Sequence, residues 1–403
     1  MKKILLLGTA LIAVSVNAQS PELSSWIVNS LIQTGYGGIE TNVQQVDYSA
    51  TNVYVACTCI PGYDIGPWTS NPNTPANQNF VFKITRNPVE NTGTKTATPM
   101  GHIGVWSNGV SIFNALDGMS YNNQGVWHQD AIPNEGVSFD DCLGHPAPNG
   151  EYHTHLNPTC LYDDDNFTVH SNLIGYAFDG FPVYGAYGYT NPDGTGGILR
   201  MTSSYQLRTM TTRTTLPNGS AASSAGPTVA ATPLGKYIED YEYVSGLGTL
   251  DEYNGRFCVT PDYPAGTYAY FVTIDGSGNG VYPYVVGPKY YGTVQSGNTG
   301  PASGHNTILE TVANFSTAGI QTLEELQLEI YPNPVAEQLF LSAGREVLIE
   351  SCKVVSANGK VMAEELPVAF VMTNGIDVYA LPAGAYFLIV AVSGVDYTLR
   401  FVK

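Results

Sequence analysis

Basic residues are scarce: 403 residues carry only 16 Lys and Arg against 34 Asp and Glu, a net charge of −18. A surface of that sign repels phosphate backbones and anionic lipid, so nucleic acid is not expected as a partner. Charged residues of both signs make up only 12% of the chain, while 43% is hydrophobic, which argues against disorder. After the first twenty residues no apolar run is long enough to cross a bilayer, and no transmembrane segment is expected. Helix-period stretches with caps are missing before residue 310, so helices are not expected to build the main domain. There is no nucleophile elbow, phosphate loop or dinucleotide fingerprint in a convincing context. Six cysteines are few for a chain of this length. With Cys352 near the C-terminus, five remain upstream, so one of those is free, mispaired or a ligand.

What is abundant is Gly (43), Pro (25) and Tyr (27), the composition of turn-rich β structure with aromatic strands. Short apolar runs at Asn52–Ala56, Phe80–Ile84, Gly109–Phe113, Gly175–Phe178, Thr267–Ile274 and Tyr282–Val286 read as strands. The fold class expected is mainly β: a large β-rich domain with long loops, then a small C-terminal β-sandwich. Thr209–Thr232, rich in Thr, Ser and Ala, reads as an exposed excursion.

The chain opens with Lys2 and Lys3, an apolar run from Ile4 to Val16, and small residues up to Ala18. This is the pattern of a secretory signal peptide over 1–18. The expected organisation is then a lead-in over 19–44, a main domain over 45–292, a linker over 293–327 with Ile308–Glu325 helical or irregular, and a terminal module over 328–403. In that module Asn358-Gly359 reads as a hairpin turn, Pro382-Ala383-Gly384 as a second turn, and Ala385–Val392 as a buried strand. Tyr331-Pro332-Asn333-Pro334, Asn358-Gly359, Leu381–Tyr386 and the final Lys403 together resemble the C-terminal sorting domain of type IX secretion in Bacteroidota. The resemblance implies export to the cell surface or medium, the secretion machinery as a partner, and removal of residues 1–18 and of much of the region after Leu328.

Six of seven histidines fall between His102 and His170. Their focus is DCLGHPAPNGEYHTHLNPTCLY, residues 141–162. On a strand His153 and His155 project from one face, and His145 lies on the preceding loop. Cys142 and Cys160 bracket the pair closely enough for a disulfide, while Cys57 and Cys59, on one strand face, are poorly placed to bond each other. The pairing of Cys57, Cys59 and Cys258 stays open. Imidazoles His145, His153 and His155, completed by Asp130, Glu135 or Asp141, make a ligand set suited to a transition metal such as Zn or Cu. Asp179 and His128 are candidates for groups behind such ligands, although Asp179, in the turn of GYAFDGFPVYG, reads equally as a backbone cap. His102 reads as structural, and His170 and His305 as exposed or locally hydrogen-bonded. The segment 148–153, PNGEYH, is echoed by 264–269, PAGTYA, with Ala269 in place of His153.

The Tyr152-His153-Thr154-His155 segment, with Ile60–Trp68, Ile103–Gly118, Gly175–Gly188, Leu250–Phe257 and Val259–Thr273, resembles the YHYH-domain family, Thr standing in the third motif place. The resemblance implies a domain over roughly residues 45–290 and little about activity. Two functions are therefore carried forward: an exported metal-binding domain, with hydrolase or oxidoreductase chemistry as its catalytic form, and a non-catalytic surface module that binds glycan or protein while its histidines serve structure.

Overall fold

The computed structural model describes residues 20–163, 166–315, 328–342, 349–356, 360–363, 375–392 and 395–403. The expected signal peptide, linker residues 316–327 and the Asn358-Gly359 turn lie outside them. The chain divides into two compact units, the boundary falling after Phe315.

The first unit holds a short helix α1 (Pro21–Ser24) and the strands β1 (Val43–Tyr48), β2 (Asn52–Cys57), β3 (Phe80–Thr85), β4 (His102–Trp106), β5 (Ser111–Phe113), β6 (Leu116–Ser120) and β7 (His128–Asp130). Helix α2 (Ala131–Glu135) follows, then β8 (Gly144–Pro146), β9 (Tyr152–Thr154), β10 (Leu173–Ala177) and β11 (Pro182–Tyr184). Two two-stranded ribbons come next, β12 (Tyr187–Tyr189) with β13 (Ile198–Arg200), and β14 (Tyr205–Leu207) with β15 (Tyr241–Tyr243). The unit closes with β16 (Gly255–Cys258), β17 (Thr267–Phe271) and β18 (Ala313–Asn314).

β3, FVFKIT, alternates buried and half-buried residues at the strand period of two. It edges a four-stranded sheet, β18-β1-β2-β3, whose inner face packs on an eight-stranded sheet, β16-β17-β11-β10-β4-β5-β9-β8. Val46, Val53 and Phe82 from the first sheet share one core with Val105, Ile112 and Tyr176 from the second. β4 is buried at every position, as a central strand covered on both faces must be.

The large sheet has an internal two-fold. Val105 pairs with Tyr176 at its centre, flanked by Gly104 with Ala177 and Trp106 with Gly175. Outward from there β4-β5-β9-β8 is matched by β10-β11-β17-β16. His102 pairs with Phe113 and Val105 with Ser111, as Leu173 pairs with Tyr184 and Tyr176 with Pro182, each hairpin carrying a register shift at the same place. β5 runs parallel to β9 with Ser111 beside His153, and β11 runs parallel to β17 with Val183 beside Tyr270. In the outer hairpins His145 opposes His153 and Arg256 opposes Ala269.

The turns repeat as well. Asn108 and Asp179 each accept the N–H of the second residue on, at 3.1 and 3.3 Å. Asp140 accepts from Gly144 N–H and from the Tyr152 hydroxyl; Asp251 accepts from Gly255 N–H and the Tyr268 hydroxyl. A Cβ on Gly144 or Gly255 would run into that tyrosine's ring, so each must be glycine. The PNGEYH and PAGTYA echo is thus part of two copies of one four-stranded unit.

Three expectations change. Tyr282–Val286 is a buried turn and not a strand, because Pro283 has no N–H for a ladder and Tyr284 sits at φ 68°. The lead-in belongs to the unit, with Leu23 and Trp26 in its core. Residues 293–315 are not free linker, since Thr293 N–H donates to Val89 O, Gln295 N–H to Phe178 O, and β18 pairs with β1. Ile308–Phe315, the described part of the stretch expected to be helical or irregular, is irregular apart from β18. The 209–232 excursion is mostly exposed, yet Arg213 within it is fully buried against Asp240 at 2.7 and 2.8 Å.

The second unit has two small antiparallel sheets, one containing Gln338–Ser342 and the other Ile349–Ser356, Ala385–Val392 and Val395–Val402. Leu339, Leu341, Val354, Leu388, Val390 and Phe401 make their common core. Asn333 of the Tyr-Pro-Asn-Pro segment donates to Arg400 O at 3.1 Å and accepts from Val402 N–H at 3.0 Å, fastening the module's first turn to its last strand.

Candidate metal centre

The β8–β9 hairpin sets His145 directly opposite His153, and His155 follows two residues on from the same face. Tyr152, on the other face, is held by Asp140, whose second oxygen takes Gly66 N–H at 2.8 Å. Trp68 Nε1 donates to Gly144 O at 3.0 Å, covering the edge of the sheet. The Cys142–Cys160 disulfide closes the base of the hairpin with Cα atoms 5.2 Å apart, as the spacing predicted. Cys57, Cys59, Cys258 and Cys352 are free and buried.

His153 Nε2 lies 3.0 Å from His145 Nε2 and 3.2 Å from His155 Nε2, and all three rings are buried. Each Nδ1 has its own oxygen: His153 meets Glu151 O at 3.0 Å, His155 meets Asn114 O at 2.7 Å, and His145 meets the Ser138 hydroxyl at 2.7 Å. A carbonyl can only accept, so His153 and His155 carry their proton on Nδ1 and present bare Nε2 lone pairs to one another. Phe113 stacks on His153 with centroids 3.7 Å apart, and Phe139 packs edge-on to His145 at 4.8 Å, fixing the ring planes.

Glu135 enters from the C-terminal end of α2, whose N-cap is Asp130, bonded to Ile132 N–H at 3.1 Å. Its Oε2 is 3.3 Å from His145 Nε2 and 3.6 Å from His155 Nε2. Burial raises the Glu135 carboxyl, but the two imidazoles outweigh it and hold the group well below the usual carboxylate range. Burial pushes His153 well below the ordinary histidine value, helped by the neighbouring His155 and His145, and burial likewise lowers His145 against the pull of Glu135.

The other expected residues are placed elsewhere. Asp130 is buried, accepts from the Tyr284 hydroxyl at 2.7 Å and caps α2, and burial pushes its carboxyl up to about 7. Asp141 is exposed on the turn. His128 bonds Glu239 at 2.6 Å. Asp179 accepts from Tyr270 at 2.6 Å and Gly292 N–H at 2.7 Å, the cap reading of its turn. His102 is structural as read, 3.2 Å from Glu151, which also accepts from Ser111 at 2.6 Å. His170 is buried and bonds Ser171 O, whereas His305 is exposed beside Phe80.

Sequence reasoning missed Ser138, Phe139, Phe113 and the Asn114 carbonyl. The histidines form one wall of a cavity of about 670 Å³, a size typical of small-molecule sites, together with Glu135, Ser138 and Phe113.

The depressed histidines give the metal-free protein a pH dependence with a definite sign. Above the ordinary histidine value of 6.5 His153 and His145 are neutral whether folded or unfolded, and their contribution to stability is at its plateau. Below 6.5 the unfolded chain takes up protons that folded His153 and His145 refuse, so that contribution falls as pH falls. Asp130, pushed up to about 7 by burial, acts in the opposite sense, so the histidine part is read as the difference in urea stability between chelator-treated wild type and His153→Ala: the gap should narrow as pH falls below 6.5, and a gap that widens would contradict it.

Residues 81–282 match the family model described as YHYH protein, and residues 329–403 match the model of the secretion system C-terminal sorting domain. No curated protein and no solved structure matches the chain.

Proposed function

Because the chain belongs to the YHYH protein family and, as type IX secretion cargo, is exported to the cell surface or extracellular space, we propose that its 45–292 domain is an extracellular metal site with His145, His153 and His155 as ligands. The observation that carries this is the meeting of three Nε2 atoms at 3.0 and 3.2 Å, with the protons of His153 and His155 committed to carbonyls behind them. Lone pairs facing at that distance repel unless a cation lies between them. Tetrahedral nitrogens at about 2.0–2.1 Å from zinc stand about 3.3 Å apart, so the cluster has the dimensions of a Zn or Cu site.

A purely structural histidine cluster is the rival reading, and the second copy of the four-stranded unit speaks against it. There Arg256, Ala269 and Phe271 stand where His145, His153 and His155 stand in the first copy. The guanidinium lies over Phe271 at 5.8 Å and donates to Tyr189 O and Thr190 O. The same frame therefore packs without imidazoles, and three of them in one copy call for another explanation.

Three histidines with a cavity before them match the catalytic zinc pattern, in which a metal acidifies water and polarises a bound oxygen. The residues present would divide the work. Phe113 and Phe139 orient the rings, Ser138 and the Glu151 and Asn114 carbonyls sit behind the Nδ1 atoms, and Glu135, beside His145 and His155, would hold or take a proton at its carboxylate. The reaction class is metal-assisted hydrolysis or an oxidoreduction.

Elemental analysis of untagged, exported protein tests the proposal. One Zn or Cu per chain is expected; none after incubation with either metal leaves the histidines structural and the binding-module reading in place. Glu135→Gln keeps the shape and removes the charge, and should weaken zinc binding by about 10–100-fold in a chelator competition.

A further inference from the structure

The rest of the cavity lining has a chemistry of its own. It includes Pro72, Pro146, Pro148, Pro301, Met100 and Leu116, and most of what a ligand would touch is apolar. Asp117, Glu135 and Glu151 are the ionisable side chains on this lining besides the histidines, and no Lys or Arg is among the lining residues. Glu151 is already engaged by His102 and Ser111. Asn71 and Asn73 each commit an amide N–H to Pro146 O, at 2.9 and 3.1 Å.

We infer that the ligand of this cavity is a compact, largely apolar molecule with a single neutral or cationic donor, an alcohol, phenol or amine, and not an anion. The inference rests on the metal reading for the donor's destination, but the charge selectivity comes from the lining alone. Asp117 and Glu135 are acidic groups with no base on the lining to offset them, so the lining offers no positive field of its own to a carboxylate or phosphate. Those groups would also find no guanidinium or ammonium to bind, the usual recognition elements for such anions. The cavity volume of about 670 Å³ accepts a substituted aromatic ring.

A matched set separates the possibilities: benzyl alcohol, benzylamine, benzoate and phenyl phosphate share a ring and differ in the head group. Titrated calorimetrically into the full zinc-incubated chain, the alcohol and amine should bind with Kd at least about tenfold below the two anions. Asp117→Asn should reduce the amine's affinity toward that of the alcohol without changing the alcohol's. Benzoate or phenyl phosphate binding as tightly as benzylamine overturns the inference, and so does failure of both the alcohol and the amine to bind. Zinc content is measured on the same samples. Selectivity without zinc would sink the metal reading and uphold this one; zinc without selectivity would do the reverse.

Discussion

Replacing His153 with Ala should abolish stoichiometric metal. His153 is the middle imidazole, within 3.2 Å of both partners, so its loss leaves His145 and His155 without the ligand between them. Structural zinc sites bind with about 10–16 kcal/mol. Shared among about four ligands, that gives about 2.5–4 kcal/mol each, or about 10²–10³-fold in affinity for one lost imidazole. Thermal unfolding supplies a second readout. At free zinc about a hundredfold above Kd the wild type should gain about 2.7 kcal/mol, and the variant should gain almost nothing at the same concentration. Equal zinc-dependent stabilisation of both proteins would show that the imidazoles are not the ligands.

The sequence made the histidine strand visible because period two is a local rule, and His153 and His155 obey it whatever lies around them. The disulfide was legible for a similar reason: eighteen residues separate Cys142 from Cys160, and a hairpin between them brings its ends together. The carboxylate was not resolvable. Asp130, Glu135 and Asp141 all lie shortly before His145 in sequence, and what selects among them is a five-residue helix that caps itself with Asp130 and delivers Glu135 from its other end. Asp130 is then consumed by Tyr284, a residue 154 positions away. The two-fold was half legible. PNGEYH and PAGTYA could be aligned by eye, but IGVWSNGVSIFN and IGYAFDGFPVYG share few identities, and their equivalence lies in register and turn bonding. Residues 293–315 looked like linker because strand pairing at an edge needs backbone, not apolar side chains, and leaves little trace in composition.

Arg213→Met should destabilise the first unit by about 3 kcal/mol or somewhat more, the cost of leaving a buried partner charge behind. Arg213 and Asp240 are both fully buried, and the guanidinium also donates to Pro227 O, Thr232 O and Pro233 O. The N–H groups of Gly235 and Tyr237 still reach Asp240 at 3.0 and 3.2 Å, which keeps the expected loss near the lower end of the range for a broken buried pair. The effect should not stop at stability, because the segment that Arg213 ties down is what holds α2. Lys236 O accepts from Asp130 N–H and from Asn134 at 3.0 Å each, Lys236 Nζ donates to Pro133 O, and Glu239 accepts from His128 N–H at 2.8 Å. Once that clamp loosens, Glu135 loses its seat beside His145 and His155. Zinc affinity should then fall by about 10–100-fold, as for other groups that orient a metal site from behind, even in samples that urea denaturation shows to be folded. Arg213→Met combined with Asp240→Asn removes both charges and should recover much of the stability. Full zinc affinity in the folded single variant would show that α2 is held without this strap.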